Sequence, residues 1–250
     1  LYPIATGERG SAWMRLTAHG VAGHGSRRNP RNPVSILARA LTRLADHEFP
    51  VRLTPTVAAL VEGLQDRLKV TIELTDPVSI GQLGEAARLV EATIANSVNP
   101  TMLEAGYKAN VIPGEASAVI DGRILPGTDE EFFADLDALL GADISREFLS
   151  HSPPVSTSHE TPEFQAMAAA IRQHDPEALI LPFCMSGGTD AKAFSELGIA
   201  CYGFAPGRTP AGFEHWNYVH GVDEHVLIDS LHFGVWVLDS YLRIDPRELQ

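Results

Sequence analysis

Between Ala12 and Leu149 the apolar residues change their spacing again and again, and that succession limits the folds open to the chain. At Ala12–His19 the period is two: Ala12, Met14, Leu16 and Ala18 alternate with Trp13, Arg15 and Thr17, which predicts a half-buried strand. A Gly- and Arg-rich loop follows, from Gly20 to Arg31. Asn32-Pro33 then offers an N-cap and a proline at the first helical position. Val34, Leu37, Leu41 and Leu44 continue at spacings of three and four, one apolar stripe on a helix. After Asp76-Pro77 a second stripe, Ile80, Leu83, Ala87, Val90 and Ile94, predicts another helix. Between the two, Thr56–Leu60 and Leu68–Leu74 carry strand signal.

Met102–Ile112 and Ala116–Leu125 read as two strands joined by Pro113-Gly114-Glu115, and Pro-Gly is the expected centre of a type II turn in a hairpin. Thr128 to Glu131 spells a capping box, with Thr128 as cap. Phe132, Phe133, Leu136, Leu139 and Leu140 form the stripe of that helix, and Gly141 ends it. A strand at Ile144–Leu149 closes the section. Strand, helix, strand pair, helix, strand is an α+β layer, one sheet with helices on one face.

After Ser150 the pattern changes. His151 to Glu160 is Ser-, Pro- and Thr-rich, a hinge or linker composition. An alternating α/β pattern follows. Thr161-Pro162 starts a helix, Ala178–Cys184 is a short apolar strand, and Gly187-Gly188-Thr189-Asp190 turns into a short helix. Ile199–Phe204 is another apolar strand. Val226–Leu242 is a terminal helix with Leu227, Leu231, Gly234, Leu238 and Leu242 in register.

Composition narrows the function classes. Acids exceed bases 32 to 19, a net charge of −13. Such a surface argues against nucleic acid, because phosphate binding needs clustered Lys and Arg. No apolar run approaches the ~18 residues of a membrane span. Two cysteines, Cys184 and Cys201, make no disulfide framework and fit a reducing, cytoplasmic compartment. The first residue is Leu1 rather than Met, so the chain reads as a piece of a longer protein.

Four phrases place polar groups where folding alone does not ask for them. In Ala22-Gly23-His24-Gly25-Ser26 an imidazole sits between two glycines on a loop, suited to donating a hydrogen bond to developing negative charge; a plain polar loop reads equally well. Asn110 lies near the end of an apolar strand, where its amide either meets a substrate carboxylate or satisfies the turn. Asp121 and Arg123, two apart, share a strand face, and Arg123 either binds a carboxylate or pairs with Asp121. Gly187, Gly188 and Thr189 let backbone approach a ligand at a strand end, with free N–H groups of a helix starting at Thr189. In the loop from His215 to Glu224, His220 precedes a helix with Asp223 and Glu224 close by, a metal-ligand pattern or a plain helix cap.

In this order the phrases resemble one family: the co-catalytic zinc hydrolases that include aminoacylase, carboxypeptidase G, carnosine-type dipeptidases and succinyl-diaminopimelate desuccinylase. The phrases fall at 22–26, 106–127, 186–191 and 220–224, across nearly the whole chain. The resemblance implies a ferredoxin-like α+β lid, or dimerisation, domain over 11–150. Residues 1–10 would end an upstream catalytic segment, and 151–250 would be the C-terminal portion of the α/β catalytic domain. It implies hydrolysis of amide bonds in small carboxylate-bearing substrates such as peptides and N-acyl amino acids, two zinc ions in the complete enzyme, and a homodimer through the lid. By the same resemblance His220 is the last metal ligand. His24 stabilises the oxyanion in the partner subunit's site, Asn110 and Arg123 hold the substrate carboxylate, and Gly187–Thr189 line the pocket.

The resemblance places the family's His-x-Asp phrase and its Glu-Glu pair upstream of the lid, in a region these 250 residues do not include. One imidazole does not make a two-zinc site. A different class of function, a non-catalytic dimerisation or binding module derived from that family, therefore stands beside the hydrolase reading. The expectation for the chain alone is no hydrolase activity and no tightly held zinc. Zinc per chain after gel filtration checks this: two tightly bound ions refute it.

Overall fold

The computed structural model describes residues 1–210, 212–213 and 218–245. His215, which opens the last candidate phrase, lies outside the described residues. β1 (Tyr2–Glu8) passes into β2 (Gly10–His19) with only Arg9 between them. β2 belongs to a four-stranded antiparallel sheet with β4 (Ser97–Ala105), β6 (Glu115–Ile124) and β7 (Ile144–Ser152), in the order β4-β6-β2-β7. The period-two face of β2, Ala12 to Ala18, packs with Ala116, Ala118, Ile120 and Ile124 of β6. Two helices, α1 (Pro33–Ala45) and α5 (Asp129–Leu140), cover that face with Ile36, Leu37, Ala40, Leu44, Phe132, Leu136 and Leu140. Each fully buried Leu, Ile or Phe contributes about 2 kcal/mol to this core. Trp13 and Arg15 stand on the open face. This is the expected α+β layer.

The second unit is a three-stranded sheet in the order β8-β1-β9, with β8 (Val155–Ser156) antiparallel and β9 (Ile180–Met185) parallel to β1. Parallel strands bury both faces, and here helices cover both. On one face lie α2 (Pro55–Leu68), α3 (Pro77–Gly81) and α4 (Ala87–Glu91), whose Val57, Leu60, Leu64, Ile80 and Val90 meet Ala5, Leu181 and Phe183. On the other lie α6 (Pro162–His174) and α8 (Ile228–Arg243), whose Met167, Ile171, Phe233 and Val237 meet Tyr2, Ile4 and Ile180. The stretch expected to be one lid over 11–150 thus contributes to two cores: its middle, α2 to α4, packs on β1 and β9.

Several local expectations give way. Thr56–Leu60 is helix, not strand. Thr54 caps α2 by accepting from the Val57 N–H at 3.3 Å, Pro55 takes the first position, and the 3–4 spacing of Val57, Leu60, Val61 and Leu64 prevails over β-branched propensity. Leu68–Leu74 forms no strand: Lys69 turns the chain at φ 57°, and the Ile72 N–H goes to the Gln65 side chain at 2.6 Å. The helix predicted after Asp76-Pro77 breaks into α3 and α4 around Gly84, whose φ of 58° is left-handed.

The hairpin differs too. Gly106 at φ 72° ends β4, so Ala105 pairs with Ala116 and residues 106–114 loop out, with Pro113-Gly114 inside the excursion. Thr128 makes no side-chain cap on α5. Its hydroxyl lies 3.0 Å from both Asn96 Oδ1 and the Leu125 carbonyl, and Glu131 pairs with Arg52 instead. Ile199–Phe204 holds only one bridge, Gly203 against Ala5. On α8 the buried residues are Ser230, Phe233, Gly234 and Val237, while Leu231, Leu238 and Leu242 are exposed. Gly234 sets that rotation: a Cβ there would lie 2.7 Å from the Pro206 carbonyl oxygen.

Gly63 brings α2 equally close to β9, since a Cβ there would lie 2.3 Å from Leu181 Cδ2. Gly63→Val is expected to destabilise the protein by about 1–3 kcal/mol through overpacking. A urea midpoint equal to that of the parent protein would show that α2 does not pack on β9 as described.

Candidate functional site

The site residues fall into two groups, and the length of β2 separates them. The first group sits beyond its far end. There β3 (Gly23–His24) pairs antiparallel with β5 (Val111–Ile112), placing His24 opposite Val111. The Gly25 N–H donates to the Asn110 carbonyl at 2.9 Å, so His24 and Asn110, 86 positions apart in the chain, share one small arm. The Ser26 backbone N–H donates to His24 Nδ1 at 3.2 Å, and the Ser26 hydroxyl lies 2.8 Å from the same nitrogen. A neutral imidazole that accepts at Nδ1 carries its proton on Nε2. That N–H is left to donate outward from an exposed ring, as an oxyanion donor requires.

The second group sits at the other end of β2, where the chain crosses between the two units. Arg123 lies opposite Ser11 and Ser97 in the sheet. Asp121 holds its guanidinium, with Nε to Oδ1 at 2.7 Å and Nη2 to Oδ2 at 2.9 Å. That pair occupies one edge of the guanidinium fork and leaves the Nη1 donors for another acceptor. From Gly10 to His19 is nine steps of about 3.4 Å, or about 30 Å. Asn110 and Arg123 therefore do not meet within one chain.

Thr189 lies beside the crossing and differs from its expected role. Its N–H donates to Glu8 Oε2 at 2.9 Å and its hydroxyl bonds Glu8 Oε1, so neither group is free for a ligand. The helix that follows, α7 (Ala191–Glu196), begins two residues later than expected. Gly187 and Gly188 remain at the surface end of β9, half-buried and exposed respectively. His220 is exposed and holds φ 60°, a left-handed backbone uncommon for a non-glycine residue.

Three residues of this junction were not singled out by sequence reasoning. Glu8 and Arg9 are both buried. Arg9 donates to the Ala92 carbonyl at 2.7 Å, the Ser97 hydroxyl at 2.6 Å and the Arg123 carbonyl at 3.1 Å. Burial pushes its guanidinium down to about 10. Lys192 Nζ donates to the carbonyls of Arg9 at 2.7 Å and Pro153 at 3.1 Å, one on each strand of the crossing; burial holds its pKa below the usual lysine value. The available signal was a Glu-Arg pair set between Gly7 and Gly10 after an apolar strand. Cys184, close by, is pushed up to about 11 by burial, which leaves it a protonated packing residue.

Among the described residues no three His, Cys, Asp or Glu side chains gather as a metal site. His220 with the acids of its own turn does not fit a two-zinc cage, so the metal expected by resemblance has no complete ligand set in these residues. Among the described residues no helix is long and apolar enough to cross a membrane.

A family model described as the peptidase dimerisation domain (M20_dimer) matches residues 6–144. The human N-fatty-acyl-amino acid synthase/hydrolase PM20D1 is 28% identical over 240 residues, covering 91% of this chain and 47% of that protein. Human aminoacylase-1 is 26% identical over 255 residues, covering 98% and 52%. The chain therefore spans about half the length of the curated relatives it matches. Among solved structures, the M20 family metallo-carboxypeptidase Sso-CP2 from Sulfolobus solfataricus superposes with a TM-score of 0.63 at 21% identity, covering 98% of this chain and 60% of that one. The dipeptidase Dug1p from Saccharomyces cerevisiae gives a TM-score of 0.62 at 16% identity, covering 96% and 55%. These two likenesses speak for the fold.

Lys192→Met removes a charged donor and leaves two crossing carbonyls without it. The expected loss is about 2 kcal/mol, with Lys192→Arg intermediate. Urea unfolding measures both; a methionine variant as stable as the parent would show that the amine does not hold the crossing.

Proposed function

The chain belongs to the M20 peptidases through their dimerisation domain, and we propose that the whole protein hydrolyses amide bonds in small carboxylate-bearing substrates, peptides or N-acyl amino acids. One observation carries this reading: the division of the candidate residues by the length of β2. His24 and Asn110 ride together on an arm about 30 Å from the crossing. Arg123 and the Gly187–Thr189 loop stay beside the crossing, within the chain's own two units. An arm that far from its own chain's loop serves a second copy. That is the use a dimerisation domain gives it.

In this reading two copies complete each site. One copy supplies Arg123, whose Nη1 donors take the substrate carboxylate, and Gly187 and Gly188, which let the substrate approach the β9 end. The same copy supplies His220 as one ligand of a metal centre whose other ligands lie outside this chain. The second copy brings the His24 Nε2–H to the carbonyl oxygen as negative charge develops there, and the Asn110 amide beside it. The names of the relatives, an N-fatty-acyl-amino acid synthase/hydrolase and an aminoacylase, support an amide between an acyl group and an amino acid. On this reading the chain on its own is inactive, because no metal cage is complete among its described residues.

In the whole protein, His24→Ala is expected to lower kcat for N-acetylmethionine by about 10²–10³-fold, the loss typical of one oxyanion donor. The KM should stay within a few-fold of the parent value. Steady-state kinetics decide the matter: a variant with parental kcat removes His24 from the site, and a parent protein that hydrolyses neither N-acetylmethionine nor the dicarboxylate N-acetylglutamate removes the reading.

A further inference from the structure

The arm that carries His24 and Asn110 is also where the chain's charge reverses. Arg27, Arg28 and Arg31 lie on the loop after β3, and Lys108 lies on the excursion before β5. All four are exposed. None of the four side chains has a hydrogen-bond or ion-pair partner among the described residues. The segments 20–33 and 106–114 contain no Asp or Glu, in a chain with 32 acids and 19 bases. Some exposed cations elsewhere pair with acids, as Arg15 does with Glu147, Lys69 with Asp66 and Arg243 with Asp239. Arg39, Arg67 and Arg172 stand singly on helices, whereas the arm gathers four cations with no acid among them.

The loop does not need these cations to fold. The Val21 N–H donates to the Arg31 carbonyl at 3.0 Å, and the Arg27 N–H to the His24 carbonyl at 3.0 Å. Asn29 closes the loop, donating from Nδ2 to the Val21 carbonyl at 2.6 Å and accepting the Arg31 N–H at 2.9 Å. Backbone groups and one asparagine side chain make all of these bonds. The three guanidiniums project from a backbone fixed around the imidazole, and their mutual repulsion is uncompensated inside the chain. A negatively charged protein whose arm carries cations and no acid, with Glu115 at the arm's base lying 3.9 Å from His19, focuses small anions there. Its net charge of −13 disfavours a long polyanion, which leaves a small dianion as the matching ligand.

We infer that Arg27, Arg28, Arg31 and Lys108 form an anion-selecting rim around His24. The rim takes a second negative group of the substrate, distinct from the carboxylate given to Arg123. The substrate class is an N-acyl amino acid or peptide with an additional carboxylate on its acyl group or side chain. This rests on the reading that His24 meets the substrate amide.

The test is a titration of the 250-residue protein, followed by NMR of the arm amides, with glutarate and with pentanoate. These have the same carbon count and differ by one carboxylate. Glutarate is expected to bind roughly five- to tenfold more tightly and to lose that advantage as salt rises, as screened charges do. In the combined variant Arg27→Gln, Arg28→Gln, Arg31→Gln the glutarate-to-pentanoate ratio is expected to fall to about one. Equal binding of the two acids by the parent overturns the inference, as does a ratio unchanged in the variant. A variant that turns a dimer into a monomer while keeping the glutarate preference also overturns it, because the cations then serve the subunit contact. If glutarate is preferred but the whole protein cleaves neither N-acetylmethionine nor N-acetylglutamate, the anion site stands while the hydrolase reading and the substrate assignment fall. If it cleaves either substrate and glutarate gains nothing over pentanoate, the hydrolase reading stands and the rim falls.

Discussion

Buried charge at the two places where the chain crosses between its units decides how the rest is arranged. Glu8 and Arg9 leave water on the outward crossing, and a buried charge is costly unless it is paired and hydrogen-bonded. Their partners come from distant parts of the sequence: Thr189 before α7, Ala92 just after α4, Ser97 at the start of β4, and Arg123 at the end of β6. The return crossing is Pro153-Pro154, which has no N–H to offer. Lys192 ties its carbonyl to that of Arg9. Gly10 lets the two strands touch, because a Cβ there would lie 2.9 Å from Pro154. Glu8 and Thr189 bond within the unit of β1 and β9, Arg9 next to Glu8 holds Ser97 and Arg123 of the antiparallel sheet, and Lys192 spans both crossings. The crossing is therefore a rigid joint rather than a linker, contrary to what the Ser- and Pro-rich composition of 151–160 suggests.

What the sequence made legible follows from how local each signal is. Asn32-Pro33 and Thr161-Pro162 marked α1 and α6 correctly because a cap acts within three residues: their side chains accept from the Val34 and Phe164 N–H groups. Thr54-Pro55 is the same signal, overlooked in favour of the β-branched residues after it. Thr128 looked like a cap on equally good local grounds. It failed because Asn96, 32 residues earlier, takes its hydroxyl. The stripe on α8 misled for a related reason: periodicity shows that a helix has an apolar face, while a carbonyl on another segment decides which face turns inward.

The candidate site shows the same division. His24, Asn110, Arg123, the glycine pair and His220 stood out because each is a polar or flexible residue out of keeping with its neighbours. Which of them belong together was not legible, because grouping depends on the β3–β5 ladder and on where β6 ends. Glu8 and Lys192 stayed hidden. A charged residue at a strand end and a lysine in a short helix are ordinary in any local window, and their partners, Thr189 for Glu8 and the Arg9 and Pro153 carbonyls for Lys192, lie far away in the sequence.

The rigid joint and the long sheet make sense together. A sheet about 30 Å long turns a small rotation at the crossing into a large movement at the arm: 10° there displaces His24 by roughly 5 Å. In the role proposed for His24 an oxyanion donor tolerates far less, since a misplacement of about 1 Å can cost on the order of 10²-fold in rate. A donor carried so far from its own unit works only if the base of the lever is stiff. The base is where this chain places buried Glu8 and Arg9 and half-buried Lys192, while the arm keeps its backbone fixed through Asn29 and the Gly25–Asn110 bond. Precision is built at both ends of the lever, and the antiparallel strands between them transmit it.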